Sequence, residues 1–169
     1  MKKLLLSFLL LSFGFAVMAQ EPKPTKEQTI QYITNNLQDY KWDNQYEQSG
    51  YEIHVIHSIK EITFKDDNLY VKTYHYLSMT NRPNTEYLEE YYINLKEIEK
   101  VIKTKSEKGG CSLSLSSVNS NKTIKYIKSI ISPTTTSDNL NLTEAQICCP
   151  DDYKLVHALN HLRKLCGAQ

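Results

Sequence analysis

Residues 51–76 read YEIHVIHSIKEITFKDDNLYVKTYHY, and this stretch decides the fold. Tyr51, Ile53 and Val55 alternate with Glu52 and His54, and Ile62 and Phe64 alternate with Thr63 and Lys65. Alternation among aromatic and β-branched residues marks half-buried strands. The phase slips between the two sets, which predicts a turn or a bulge near residues 58–61. Asp66-Asp67-Asn68 is a turn signal. Leu69, Val71 and Thr73 then resume the alternation, interleaved with Tyr70, Tyr74 and Tyr76.

The same texture extends outward. Residues 79–85, with Asn81 and Pro83, read as a loop, and Tyr87, Tyr91, Ile93 and Leu95 mark the next strand. Residues 98–103 follow as a strand, and residues 105–110 as a turn. Cys111, Leu113 and Leu115 alternate strictly with Ser112, Ser114 and Ser116. Asn119-Ser120-Asn121 turns the chain again, before strands over 123–131 and 142–149 separated by a Ser/Thr/Pro loop. The β region, 50–149, therefore predicts about seven antiparallel strands in a barrel or sandwich.

Two amphipathic helices flank it. Thr25-Lys26-Glu27-Gln28 is a capping box, and Ile30, Ile33, Leu37 and Tyr40 recur at helical spacing, predicting a helix over 26–41. Pro150-Asp151-Asp152 opens a second helix over 151–166, with acids at its positive end and Gly167 at its C-cap. Leu155, Leu159, Leu162 and Cys166 share one face of it. The fold class is α+β.

The first nineteen residues are an address. Lys2 and Lys3 precede an apolar run over 4–17, and Val17-Met18-Ala19 offers small residues where signal peptidase cuts. The run is shorter than the ~20 residues a spanning helix needs. This predicts a signal peptide at 1–19 and an exported, periplasmic or secreted, single domain over 20–169 with no transmembrane segment. Cleavage removes Lys2 and Lys3 from a balance of 20 basic and 19 acidic residues, so the basic excess of a nucleic-acid binder is missing.

Catalytic motifs are missing too. There is no Gly-rich phosphate loop, no G-x-S-x-G elbow and no H-E-x-x-H, and no cofactor, metal or catalytic residue is expected. His157 and His161 stand four apart on the last helix, opposite its leucine stripe, and read as surface histidines. His54 and His57, three apart on a strand, face opposite ways unless a bulge intervenes. Glu89 and Glu90 point apart, and Asp66 and Asp67 belong to a turn. Tyr70, Tyr74, Tyr76, Tyr87, Tyr91 and Tyr92 crowd two neighbouring strands and form the best candidate binding surface. The cysteines are Cys111, Cys148, Cys149 and Cys166. In a meander, residues 142–149 would run parallel to the Cys111 strand, and the last helix would carry Cys166 back to its start. That predicts a Cys111–Cys166 disulfide, with Cys148 and Cys149 at the far edge.

Strands followed by one C-terminal helix resemble the pleckstrin-homology-like fold, including GRAM-type domains. Residues 92–101, Tyr-Ile-Asn-Leu-Lys-Glu-Ile-Glu-Lys-Val, resemble a strand pair of those domains, and residues 152–162 resemble the closing helix of small secreted proteins of Bacteroidota. The lysine and arginine signature of phosphoinositide recognition does not match, so the resemblance implies a fold and no site residue. The expected function is an exported binding protein for a protein, peptide or lipid ligand. The alternatives are a periplasmic enzyme or enzyme inhibitor, and a structural envelope component. A deep pocket holding two or more His, Asp or Glu residues favours the enzyme, and a flat or grooved tyrosine face favours the binder.

Overall fold

The computed structural model describes residues 23–131 and 136–168, so the expected signal segment at 1–19 lies outside the described residues. In chain order the elements are α1 (Lys26–Leu37), β1 (Lys41–Gln48), β2 (Tyr51–Lys65), β3 (Asn68–Met79), β4 (Thr85–Asn94), β5 (Ile98–Lys105), β6 (Cys111–Ser117), β7 (Ile124–Ile130), β8 (Thr136–Leu142), β9 (Glu144–Cys149) and α2 (Tyr153–Leu165). Among the described residues the nine strands form an antiparallel six-stranded sheet, β1-β2-β3-β4-β7-β8, and an antiparallel three-stranded sheet, β5-β6-β9. The sheets do not close into a barrel, and the arrangement is sandwich-like.

Nine strands replace the expected seven or so for local reasons. Residues 41–48 carry too little apolar alternation to read as a strand, yet they pair with β2 along their whole length. The first helix stops at Leu37 rather than residue 41, because Asp39 turns the backbone at a φ of 61° and starts β1. Thr143 interrupts the last predicted strand, and β8 before it takes in residues expected to be loop.

Both helices end where local chemistry ends them. Thr25 Oγ1 accepts from the Gln28 amide at 3.2 Å, and Gln28 Oε1 accepts from the Thr25 amide at 2.9 Å, closing the capping box. Asp152 caps α2 by accepting from the Lys154 amide at 2.8 Å, and Gly167 leaves it at a φ of 94°. The helices bury Ile33 and Leu37 together with Leu155, Leu159 and Leu162, in one cluster with Leu113, Leu115 and Ile147 of the small sheet and Leu69, Val71 and Ile93 of the large one. α2 also covers the free edge of β5, where Asn160 Nδ2 donates to the Val101 carbonyl at 3.1 Å and Arg163 Nη1 to the Ile98 carbonyl at 3.0 Å. Among the described residues no helix is long and apolar enough to cross a membrane.

The cysteines are arranged differently from the expected bridge. β9 lies beside β6 and antiparallel to it, so Cys111 faces Cys149 rather than standing at the opposite edge. Cys166 sits instead at the end of α2, where its amide donates to the Leu162 carbonyl at 3.0 Å, and all four cysteines are free thiols. The meander fails because β7 and β8 leave the small sheet to extend the large one, returning β9 to pair directly with β6.

Candidate functional site

A cleft of about 900 Å³ lies between the two sheets. The large sheet contributes Trp42, Tyr46, His57, His75, Glu89, Tyr91 and Tyr126, and the small sheet faces them with a polar surface that includes Ser112, Gln146 and Cys148. A pocket of this size suits a small organic ligand.

One extra residue in β2 builds the polar wall. From Lys65 to Glu61 the strand pairs with β3 in one register, and from Ile59 onward in a register shifted by one. Without that bulge His57 would face Tyr76 on the outer side of the sheet. With it, His57 sits directly opposite His75 on the inner side. His54 stays on the outer side, where its Nε2 lies 2.8 Å from Asp43 Oδ1.

The histidines touch through their Nδ1 atoms at 2.5 Å, with the rings edge to face and centroids 4.5 Å apart. His75 Nε2 lies 2.9 Å from Glu89 Oε2, and these two side chains are only 12% and 14% exposed. Glu89 also accepts from the Tyr126 hydroxyl at 2.7 Å on Oε1 and from the Tyr91 hydroxyl at 3.1 Å on Oε2. Tyr87 stacks on His75, with centroids 4.7 Å apart and planes 7° from parallel. The result is a continuous chain, His57–His75–Glu89, with two phenols anchoring its far end.

The electrostatics follow from burial and these contacts. Burial, with His75 alongside, lowers the His57 pKa to about 4, so its ring is neutral near neutral pH. Burial pushes the Glu89 carboxyl up, but His75, Tyr126 and Tyr91 outweigh it and hold the group below its ordinary value. Glu89 is therefore a half-buried carboxylate, satisfied by three donors. Burial and the Glu89 charge push the Tyr91 and Tyr126 phenols upward, so both stay protonated donors.

This chemistry differs from that of a nucleophilic triad. Burial pushes the Cys148 thiol up to about 12, which keeps it a thiol. Thr73 Oγ1 lies 2.9 Å from His75 Nε2, but Thr73 is 1% exposed and out of reach of a substrate. Among the described residues no group of three His, Cys, Asp or Glu side chains is arranged to hold a metal ion. What remains is a polar chain able to accept or pass a proton.

The six candidate tyrosines do not share one surface. Tyr87 and Tyr91 lie on the inner face, with Tyr126 beside Tyr91 at 5.2 Å. Tyr70, Tyr74, Tyr76 and Tyr92 lie on the outer face. There the polar tips are already occupied: Tyr70 and Tyr92 donate to Glu90 Oε2 at 3.1 and 3.0 Å, and Tyr74 to Glu86 Oε2 at 3.0 Å. Lys60 and Lys125 cover the Tyr74 and Tyr92 rings at 5.2 Å. On the last helix His157 is exposed, and His161 Nε2 lies 2.9 Å from the Pro24 carbonyl oxygen.

Residue-by-residue reading of the sequence missed His75 and Trp42. The signals were present. His57 and His75 stand nearly equidistant from the Asp66-Asp67 turn, so a bulged hairpin makes them partners. Trp42 and Tyr46 share the inner face of β1, the strand with too few apolar residues to be recognised. The Trp42 ring lies over Gly110, where an added Cβ would come within 3.2 Å of it.

No family model, curated protein or solved structure matches this chain.

Proposed function

We propose that this is an exported binding protein that holds a small, flat organic molecule in the cleft between its two sheets. The observation that carries the reading is the His57–His75–Glu89 chain along the wall of a cleft large enough for such a ligand. Ionisable groups with shifted pKa values gathered in a cleft mark a candidate recognition site. Trp42 and Tyr46 add aromatic surface for stacking. Export is supported by Lys2, Lys3, the apolar run that follows and Ala19. The PH-like likeness belongs to this proposal as well, through its succession of strands and a closing helix.

The outer tyrosines support a protein or peptide surface less well, because the Tyr70, Tyr74 and Tyr92 hydroxyls already donate to Glu90 and Glu86. The enzyme reading gains from the two histidines and the glutamate gathered in one cleft.

Trp42 is the only tryptophan in the chain, so the protein carries its own reporter. Titration with flat aromatic acids and amines is expected to quench its fluorescence saturably, and His57→Ala to weaken that binding. Ligand-induced shifts confined to Tyr70, Tyr74 and Tyr92 would overturn the cleft and establish the outer face instead.

A further inference from the structure

We propose that His57, His75 and Glu89 are a proton relay that lets the cleft remove a proton from a bound, flat C–H or O–H acid. The proposal deepens the binding reading above and rests on it. Two Nδ1 atoms 2.5 Å apart hold one proton between them. His75 Nε2 is turned toward the Glu89 carboxylate at 2.9 Å, so it carries a proton. His75 Nδ1 is then an acceptor, and the shared proton belongs to His57 Nδ1. This leaves His57 Nε2 as a bare lone pair on a residue that lines the cleft. Among the described residues no protein group bonds to it.

The step balances within the chain. The bond from the ligand to its acidic hydrogen breaks, and the proton forms a new bond to His57 Nε2. The Nδ1 proton of His57 passes to His75 Nδ1, so His57 ends neutral and His75 ends as the cation. The electron pair stays on the ligand as a carbanion or oxyanion. Moving the charge one ring inward matters because burial makes a cation on His57 unfavourable, whereas at His75 it meets the Glu89 carboxylate. His57 is the catalytic residue, and His75 and Glu89 are positioning residues.

The other groups around the cleft fit this division. Tyr87, Tyr91 and Tyr126 stay neutral beside the relay because burial and Glu89 raise their pKa values. The Cys148 thiol stays protonated. Glu144 is held by Ser114 at 2.7 Å, and Lys105 by Asp151 at 3.0 Å. Lys108 stands over the Tyr46 ring at 4.8 Å and is the cation best placed to face an anion formed on the ligand.

Nitrobenzisoxazole is a suitable probe. It is flat, and loss of its one acidic C–H proton breaks its N–O bond to give a coloured cyanophenolate. The expected result is saturable turnover at least about a hundredfold above free imidazole per site, abolished by His57→Phe. Glu89→Gln should lower the rate about ten- to a hundredfold, well beyond any weakening of Trp42 quenching by the probe. Quenching without turnover overturns the relay and leaves the binding reading standing. A Glu89→Gln variant as fast as the wild type also overturns it.

If the probe does not quench Trp42, the binding reading fails for flat ligands, and the relay is judged on nuclear magnetic resonance of isotope-labelled histidine ring nitrogens. A proton shared between the two Nδ1 atoms, altered in Glu89→Gln, supports it. Two independently titrating rings overturn it.

Discussion

On the inner face of β3, Leu69 and Val71 are sealed in the same apolar cluster as Ile33 and Leu37 of α1, while Thr73 and His75, the next two inner positions, line up with the polar chain. β4 repeats the contrast, with Ile93 and Tyr91 in the cluster, then Glu89 and Tyr87. One hydrogen-bonded ladder thus carries two chemistries. At the helix end, Val71 and Ile93 are 0% exposed, and burial of this kind stabilises by about 25 cal/mol per Å². At the cleft end, strand space that could hold apolar side chains holds ionisable ones. The difference shows where stability is made and where it is given up for a site.

The largest effect is expected at the dry end. Ile93→Ala should cost about 2–5 kcal/mol in urea titrations, through lost burial and a cavity that the flanking strands cannot close. A loss under about 1 kcal/mol would mean that this end is not the anchor of the sheet.

A second prediction separates the halves by pH. His57 has a folded pKa near 4 against an ordinary 6.5, so between these values the unfolded chain binds a proton that the native protein does not. Stability is therefore complete above pH 6.5 and declines as pH falls through the window to about 4, by on the order of 2–3 kcal/mol. Glu89, also held low, adds a loss in the same direction below its ordinary value of 4.5. His57→Phe should flatten the upper part of the window, and Ile93→Ala should leave its slope unchanged. A wild-type stability profile that is level from pH 6.5 to 4 would sink the assignment of His57 as a buried neutral ring.

The smallest effect concerns the Trp42 side of the cleft. Gly110→Ala places a Cβ 3.2–3.4 Å from the Trp42 ring, close enough to displace it by a few tenths of an ångström. We expect a shift in Trp42 emission with a stability change of about 1 kcal/mol or less, since the ring sits at an edge strand rather than in the core. Unchanged emission would show that the two sheets do not meet at this contact.

Much of the dry half was legible in the sequence. Leu155, Leu159 and Leu162 declared their shared face by helical spacing, and Leu113 and Leu115 theirs by alternation with serine. The cleft half was legible only in fragments. The phase slip near residues 58–61 announced a bulge, but that bulge's consequence is the meeting of His57 with His75, eighteen residues apart. The tyrosines of β3 and β4 looked like one surface because composition counts residues, whereas the pleat sends Tyr91 inward and its neighbour Tyr92 outward.

The sequence by itself determined what short-range physics controls: the Thr25–Gln28 capping box, the Asp152 cap, the turn at Asp66-Asp67, the strand texture and the α+β class. Each depends on groups within about one helical turn or one hairpin of one another. Only the tertiary structure decided which strands pair at a distance, and with that the antiparallel meeting of Cys111 and Cys149, the departure of β7 and β8 to the large sheet, and the pairing of His57 with His75. The reason is parity. A strand has two faces, one inserted residue exchanges them, and which face closes on helices or opens on a cleft is settled by partners far along the chain.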